Sequence, residues 1–120
     1  MYVGIDVAKN KSQVCIINKE KQVIKEFEIR HDKNGVQFLE SYLTKDMKIG
    51  METTSTYCKA LYYYLKDKYN ICYIDNFLMH NFAKLYYPNI KNDKMDAKLI
   101  AEYLHSGLKE IQLAQMSRLK

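Results

Sequence analysis

The stretch Tyr2-Val3-Gly4-Ile5-Asp6-Val7-Ala8, at residues 2–8, has the composition of a short buried β-strand with an acid near its end. Successive side chains of a strand point to opposite faces, so Gly4 and Asp6 share one face and the branched apolar residues take the other. The apolar face belongs to the core. The acid therefore stands on the opposite face, toward the carboxyl end of the strand.

A second stretch, Met47-Lys48-Ile49-Gly50-Met51-Glu52, repeats this arrangement of glycine, apolar residue and acid. In a parallel pair of strands, Asp6 and Glu52 would lie side by side near the carboxyl edge, where open α/β sheets bind ligands. The glycines leave space beside them. Two carboxylates held close together repel each other, so at neutral pH they favour a bound cation.

Strand patterns also occupy residues 12–18, 22–30 and 70–75. The first two of these segments follow residues 2–8 through short connections, which favours an antiparallel meander. The strand predicted at 70–75 comes much later, after two helical segments.

The apolar spacing predicts four helices. The first starts after a cap at Asp32 or Asn34, and the second covers about 56–68. The third covers 78–86 and breaks near Pro88, and the last runs from near Asp93 to about Ser106, before a C′ residue at Gly107. The residues at helical spacing in the first helix are Val36, Leu39, Tyr42 and Leu43. Those that share one face of the second helix are Tyr57, Leu61, Tyr64 and Leu65.

The predicted element order is βββ-α-β-α-β-α-α. Three antiparallel strands followed by alternating helices and strands imply an α/β fold with a mixed five-stranded sheet and helices on both faces. Right-handed crossovers would place the fourth and fifth strands parallel to the first.

A third acidic motif, Lys91-Asn92-Asp93-Lys94-Met95-Asp96-Ala97, stands at the predicted start of the last helix. Asp93 and Asp96 are three residues apart and lie on one helix face. With Asp6 and Glu52 they make four hard oxygen donors, a set that suits Mg²⁺ or Mn²⁺. Taken singly, each acid has a structural explanation, and acids are common at helix starts as caps and first-turn residues.

The segments 4–9, 51–54 and 91–101 together resemble the N-terminal domain of the DEDD transposases of the insertion-sequence 110 family and the related Piv-type DNA invertases. The resemblance implies a RuvC-like domain of the RNase H-like fold, with catalytic carboxylates at Asp6, Glu52, Asp93 and Asp96. It also implies metal-dependent DNA strand cleavage and transfer, a structured guide RNA and a homo-oligomeric full-length protein. Relatives carry a C-terminal domain with a nucleophilic serine, so we expect a catalytic domain at 1–107 and a helical extension or linker toward a missing domain at 108–120.

A formal net charge of +5 suits a polyanionic partner. Lysines near the predicted site are candidates for phosphate contacts, although a solvated surface explains any single one equally well. These candidates are Lys9, Lys11, Lys84, Lys91, Lys94 and Lys98.

Three cysteines without a CxxC pair argue against a disulfide framework or a zinc site. The three histidines, at 31, 80 and 105, lack the spacing of metal ligands, and we expect them to be structural or surface residues. No signal peptide or membrane-spanning run is present, so we expect a soluble cytoplasmic protein.

Two other functions remain open at the level of sequence. A sugar kinase or actin-like ATPase fragment also opens with a Gly-x-Asp strand and a hairpin, but the chain has no second glycine-rich phosphate loop. A non-catalytic nucleic-acid-binding module of the same fold would keep the sheet and the basic charge without autonomous activity.

Overall fold

Five strands and four helices make up the part of the chain that the computed structural model describes, which is residues 1–52, 56–86 and 97–107. The strands are β1 (Tyr2–Val7), β2 (Lys11–Ile17), β3 (Val23–Arg30), β4 (Lys48–Glu52) and β5 (Asn70–Ile74). The helices are α1 (Lys33–Glu40), α2 (Thr56–Leu65), α3 (Asn76–Tyr86) and α4 (Ala97–His105).

The strands form one mixed sheet in the order β3-β2-β1-β4-β5. β1, β2 and β3 pair antiparallel, while β4 is parallel to both β1 and β5. The predicted α/β class, the meander and the parallel placement of the fourth and fifth strands are confirmed. The first strand is therefore central, and the carboxyl ends of β1, β4 and β5 meet at one edge.

One face of the sheet packs against α1 and α2. Alternate residues of the central strands point into this layer, as β1 shows with Val3 and Ile5, both fully buried. Leu39 from α1 and Leu61 from α2 meet them there. The predicted core face of the first strand is thus confirmed, and burial of branched apolar side chains holds the layer together.

The opposite face is covered by α3 and α4. Tyr103 and Leu104 of α4 pack with Ile74 of β5 and Phe82 of α3, and Ala101 packs beside Ile17 of β2. Helices on both faces are confirmed. The face that carries Gly4 and the acids is therefore also partly a core face, because α4 crosses it.

The first helix begins and ends at defined residues. Asp32 is its N-cap, since its Oδ1 accepts a hydrogen bond from the Gly35 backbone N–H at 2.7 Å. The helix ends at Glu40, so Tyr42 and Leu43 lie beyond it and not on its face as predicted. Leu43 is nevertheless buried, because the turn after the helix brings it back against the core.

The predicted apolar face of α2 was wrong at Tyr64, whose side chain is 49% exposed. Its hydroxyl donates a hydrogen bond to Glu40, and the Lys68 ammonium lies 4.3 Å from its ring centroid. Tyr64 is amphipathic and covers the helix surface with its ring while its polar end reaches solvent. Leu61 and Leu65, together with Cys58, form the buried stripe instead.

The later helices differ from their predicted bounds at their starts. α3 begins at Asn76, two residues before the predicted start, because Asp75 caps it through a 2.7 Å hydrogen bond from the Phe77 N–H. The predicted start of the last helix near Asp93 falls outside the described residues. Gly107 is confirmed as the C′ residue, with a φ of 81° and an N–H that donates to Leu104 O.

No disulfide joins the three cysteines, of which Cys15 and Cys58 are buried and Cys72 is half-buried. Among the described helices, none combines the length and the apolar character required to cross a bilayer.

Candidate active site

Asp6 and Glu52 are brought together by the parallel pairing of β1 with β4. Gly4 pairs with Gly50, and Ile5 pairs with Met51. The next residue on each strand is the acid, so both carboxylates follow their glycines on the same face. They lie beside each other at the carboxyl edge of the sheet, as the matched sequence patterns predict.

The environment of Glu52 disfavours its negative charge. Its side chain is buried, with 7% exposure. Burial raises its pKa above the usual value of 4.5, the negative charge of Asp6 raises it further, and His80 acts in the opposite direction. A desolvated carboxylate beside a second one favours a cation at this position.

The end of β4 is fixed by the helix that follows. The Cys58 thiol, on α2, donates a hydrogen bond of 2.7 Å to the backbone oxygen of Glu52. This contact is buried and joins the last residue of the strand to the first turn of the helix. The position of the Glu52 backbone is thus set by packing and not only by the sheet.

Helix α4 packs directly on the two glycines. A Cβ at Gly4 would lie 2.0 Å from the Ala97 backbone oxygen, and one at Gly50 would lie 2.9 Å from Leu104 Cδ1. The space that the glycines were predicted to leave is therefore filled by a helix. Ala97, the residue that follows Asp96 in the chain, consequently lies against β1 two residues from Asp6.

Asp93 and Asp96 themselves lie outside the described residues. Within the described ranges, no three His, Cys, Asp or Glu side chains form a group that could hold a metal ion. The described part of the site is thus the carboxylate pair Asp6 and Glu52, half of the predicted set. Its oxygens are hard donors of the kind that Mg²⁺ and Mn²⁺ prefer, so the residues present fit such an ion.

A groove of about 220 Å³ opens beside Asp6 on the β2 side. Its polar walls are Asp6, Gln13 and Glu26 from the strands and Lys98 from α4. Because Glu26 lies on β3, the groove extends from the carboxylate edge toward that strand.

His80, which the sequence predicts to be structural or on the surface, contributes a charge that opposes the rise in the pKa of Glu52. It stands one turn into α3, the helix that follows β5, and β5 pairs with the strand of Glu52. His31 and His105 do have structural contacts, His31 with Ser12 Oγ at 2.9 Å and His105 with Lys19 O at 2.6 Å.

The candidate phosphate-binding lysines divide into two groups. Lys9, Lys11, Lys84 and Lys98 are described, and all four are exposed. Lys11 forms an ion pair of 3.0 Å with Glu28. The other two, Lys91 and Lys94, lie outside the described residues.

Comparison with known proteins gives one family match. A family model described as Transposase, for the DEDD transposases of insertion-sequence 110, matches residues 3–120, nearly the whole chain. A search of curated proteins found no match.

Proposed function

Because the chain belongs to the insertion-sequence 110 family of DEDD transposases, we propose that it carries out the divalent-metal-dependent cleavage and transfer of DNA strands. Asp6, Glu52, Asp93 and Asp96 are the proposed metal-binding carboxylates. The observation that carries this proposal is the parallel register that sets Asp6 beside a desolvated Glu52 at the carboxyl edge.

The donor set defines what the residues do. Asp6 and Glu52 would hold Mg²⁺ or Mn²⁺ through carboxylate oxygens, and Asp93 and Asp96 would add two more. Such an ion, when bound, supplies electrostatic stabilisation of the attacking and leaving oxygens of a phosphodiester. The contact of Ala97 with Gly4 supports the assignment of Asp96, because Asp96 is the residue bonded to Ala97 in the chain.

The proposed partners are DNA and a structured guide RNA. Phosphates would be contacted by Lys9, Lys11, Lys84, Lys91, Lys94 and Lys98. We further propose that residues 1–107 are the catalytic domain, that 108–120 lead toward a C-terminal domain, and that the full-length protein is a homo-oligomer.

Metal binding tests the proposal most directly. Calorimetric titration with Mn²⁺ should show binding by the wild-type chain, and Asp6→Asn should weaken it by at least about tenfold, because it removes a charged ligand. Asp67→Asn is the matched control, since Asp67 is exposed in the turn before β5, at the opposite edge of the sheet. A wild-type chain that binds no Mn²⁺, or an Asp6→Asn chain that binds it as well as the wild type, would contradict the proposal.

The non-catalytic alternative makes a different prediction. A binding module should hold DNA or structured RNA equally well with and without Mg²⁺, and Glu52→Gln should change nothing. The proposed enzyme should instead bind DNA more tightly with the metal, and Glu52→Gln should remove that difference. Gel-shift titrations with and without Mg²⁺ distinguish the two functions.

A further inference from the structure

A row of polar residues crosses the sheet at the level of Asp6. Asp6 pairs with Gln13 on β2, and Gln13 pairs with Glu28 on β3. Directly paired residues on neighbouring strands point to the same face, with Cβ atoms about 4.5–5.5 Å apart. Gln13 therefore stands next to Asp6, on the side away from Glu52.

Hydrogen bonding fixes which way the Gln13 amide faces. Its Nε2 donates to Glu28 Oε1 at 2.6 Å, and the same oxygen pairs with Lys11 Nζ at 3.0 Å. An ionised carboxylate only accepts hydrogen bonds, so the amide nitrogen and not its oxygen must face Glu28. Among the described residues, Glu28 is the one hydrogen-bond partner of the Gln13 amide. The Oε1 atom of Gln13 therefore stays available as an acceptor.

The groove beside Asp6 gives this oxygen room to act. Gln13 lines it together with Asp6, and its volume of about 220 Å³ accommodates several water molecules, each of which occupies about 30 Å³ in the liquid. Mg²⁺ and Mn²⁺ sites built on carboxylates usually keep several waters around the ion. A neutral acceptor there adds a hydrogen bond without a further negative charge beside Asp6 and Glu52.

We propose that Gln13 is a positioning residue of the metal site, whose Oε1 accepts a hydrogen bond from the hydrated ion held at Asp6. Glu28 and Lys11 orient it. The inference rests on the proposed metal-dependent function and adds to it a residue from the hairpin strand β2. Substituting a residue that hydrogen-bonds to the ligands of a metal ion typically lowers metal affinity by about 10–100-fold.

The test is a titration of the 120-residue chain with Mn²⁺, followed by the electron paramagnetic resonance signal of free Mn²⁺. Gln13→Ala should weaken binding by about tenfold. Glu28→Gln should weaken Mn²⁺ binding less, because Gln13 keeps its Oε1 atom but its amide is no longer held in one orientation by a carboxylate. Gln37→Ala is the matched control, since Gln37 is exposed on α1 on the other side of the sheet. Thermal unfolding should show all three variants folded.

The outcomes separate this inference from the proposed function. If the wild type binds Mn²⁺ and Asp6→Asn does not, but Gln13→Ala binds like the wild type, Gln13 is only a surface contact between strands and the inference is wrong. If the wild type binds no Mn²⁺, both proposals fail. A loss in Gln13→Ala without a loss in Gln37→Ala supports the inference, because a purely structural role would lower stability and leave affinity unchanged.

Discussion

Glu52 is buried beside Asp6, and both burial and that charge raise its pKa above 4.5. The folded state therefore holds this proton more tightly than the unfolded state, and stability falls as pH rises from 4.5 through the raised pKa. Without metal, Glu52→Gln should stabilise the protein by about 1 kcal/mol at pH 7, the scale of one poorly compensated buried polar group. Urea unfolding in the presence of a chelator measures this difference.

Added Mn²⁺ should make the wild type more stable than the Glu52→Gln variant. An ion that binds only the folded state stabilises it by an amount that grows with the logarithm of its affinity, and Glu52→Gln removes one charged ligand. The wild-type melting temperature should therefore rise with Mn²⁺ while that of the variant stays nearly constant. Equal shifts in both proteins would mean that the ion does not bind at Glu52.

His31 gives a second pH dependence of opposite sign. Burial lowers its pKa below 6.5, although the backbone at Lys9 and Lys11 partly opposes this. Its ring stacks on Tyr57 with centroids 3.7 Å apart. The unfolded state binds the proton more readily, so stability should fall as pH drops below 6.5 through the lowered pKa. His31→Gln should flatten this part of the curve, and an unchanged slope in the variant would assign the effect to another group.

At the scale of elements, the contact of α4 with β1 depends on Gly4. A Cβ there would meet backbone atoms, Ala97 O at 2.0 Å and Ala101 N at 2.6 Å, whereas one at Gly50 would meet the ends of flexible side chains. Gly4→Ala should therefore destabilise the protein by about 3 kcal/mol and Gly50→Ala by about 1 kcal/mol. Gly4→Ala should also weaken Mn²⁺ binding, because α4 must move away from β1.

Urea unfolding compares the two substitutions, and Gly107→Ala serves as a third point. Gly107 has a positive φ but open space around it, so its cost of about 1 kcal/mol comes from the backbone alone. If Gly4→Ala costs no more than this, the close approach of α4 to β1 is not a significant constraint.

The elements were predictable where a residue pattern determines them. Alternation in β1 and β4 gave their register and faces, because a one-residue slip would have turned Val3 and Ile5 out of the core. The errors came at helix ends and on helix faces. Asp75 can end a strand or cap a helix, and only the structure shows that it caps α3. Tyr64 fits a buried or an exposed position equally well, and its contact with Glu40 decides between them.

For the molecule as a whole, the candidate site was predictable to the extent that its residues share a sequence pattern. Asp6 and Glu52 follow matching glycines on strands that pair directly, so their meeting could be deduced. His80 and Gln13 carry no such pattern. The position of His80 depends on where α3 begins after β5, and the orientation of the Gln13 amide depends on Glu28 from another strand. Such contacts arise from tertiary packing, so the spacing of residues along the chain does not predict them.

The two edges of the sheet should differ in DNA binding, because the proposed site lies at the carboxyl edge of the parallel strands. Lys9 follows β1 at this edge and Lys98 lines the groove, whereas Lys45 and Lys48 lie at the opposite edge, before and at the start of β4. All four are exposed.

Replacing Lys9 and Lys98 with alanine should therefore weaken DNA binding and reduce the slope of log K against log salt by about 2, since each phosphate contact contributes about 0.9. The Lys45 and Lys48 double variant loses the same charge and should keep the wild-type slope. Equal slopes in the two variants would mean that DNA responds to the net charge of +5 and not to one edge of the sheet.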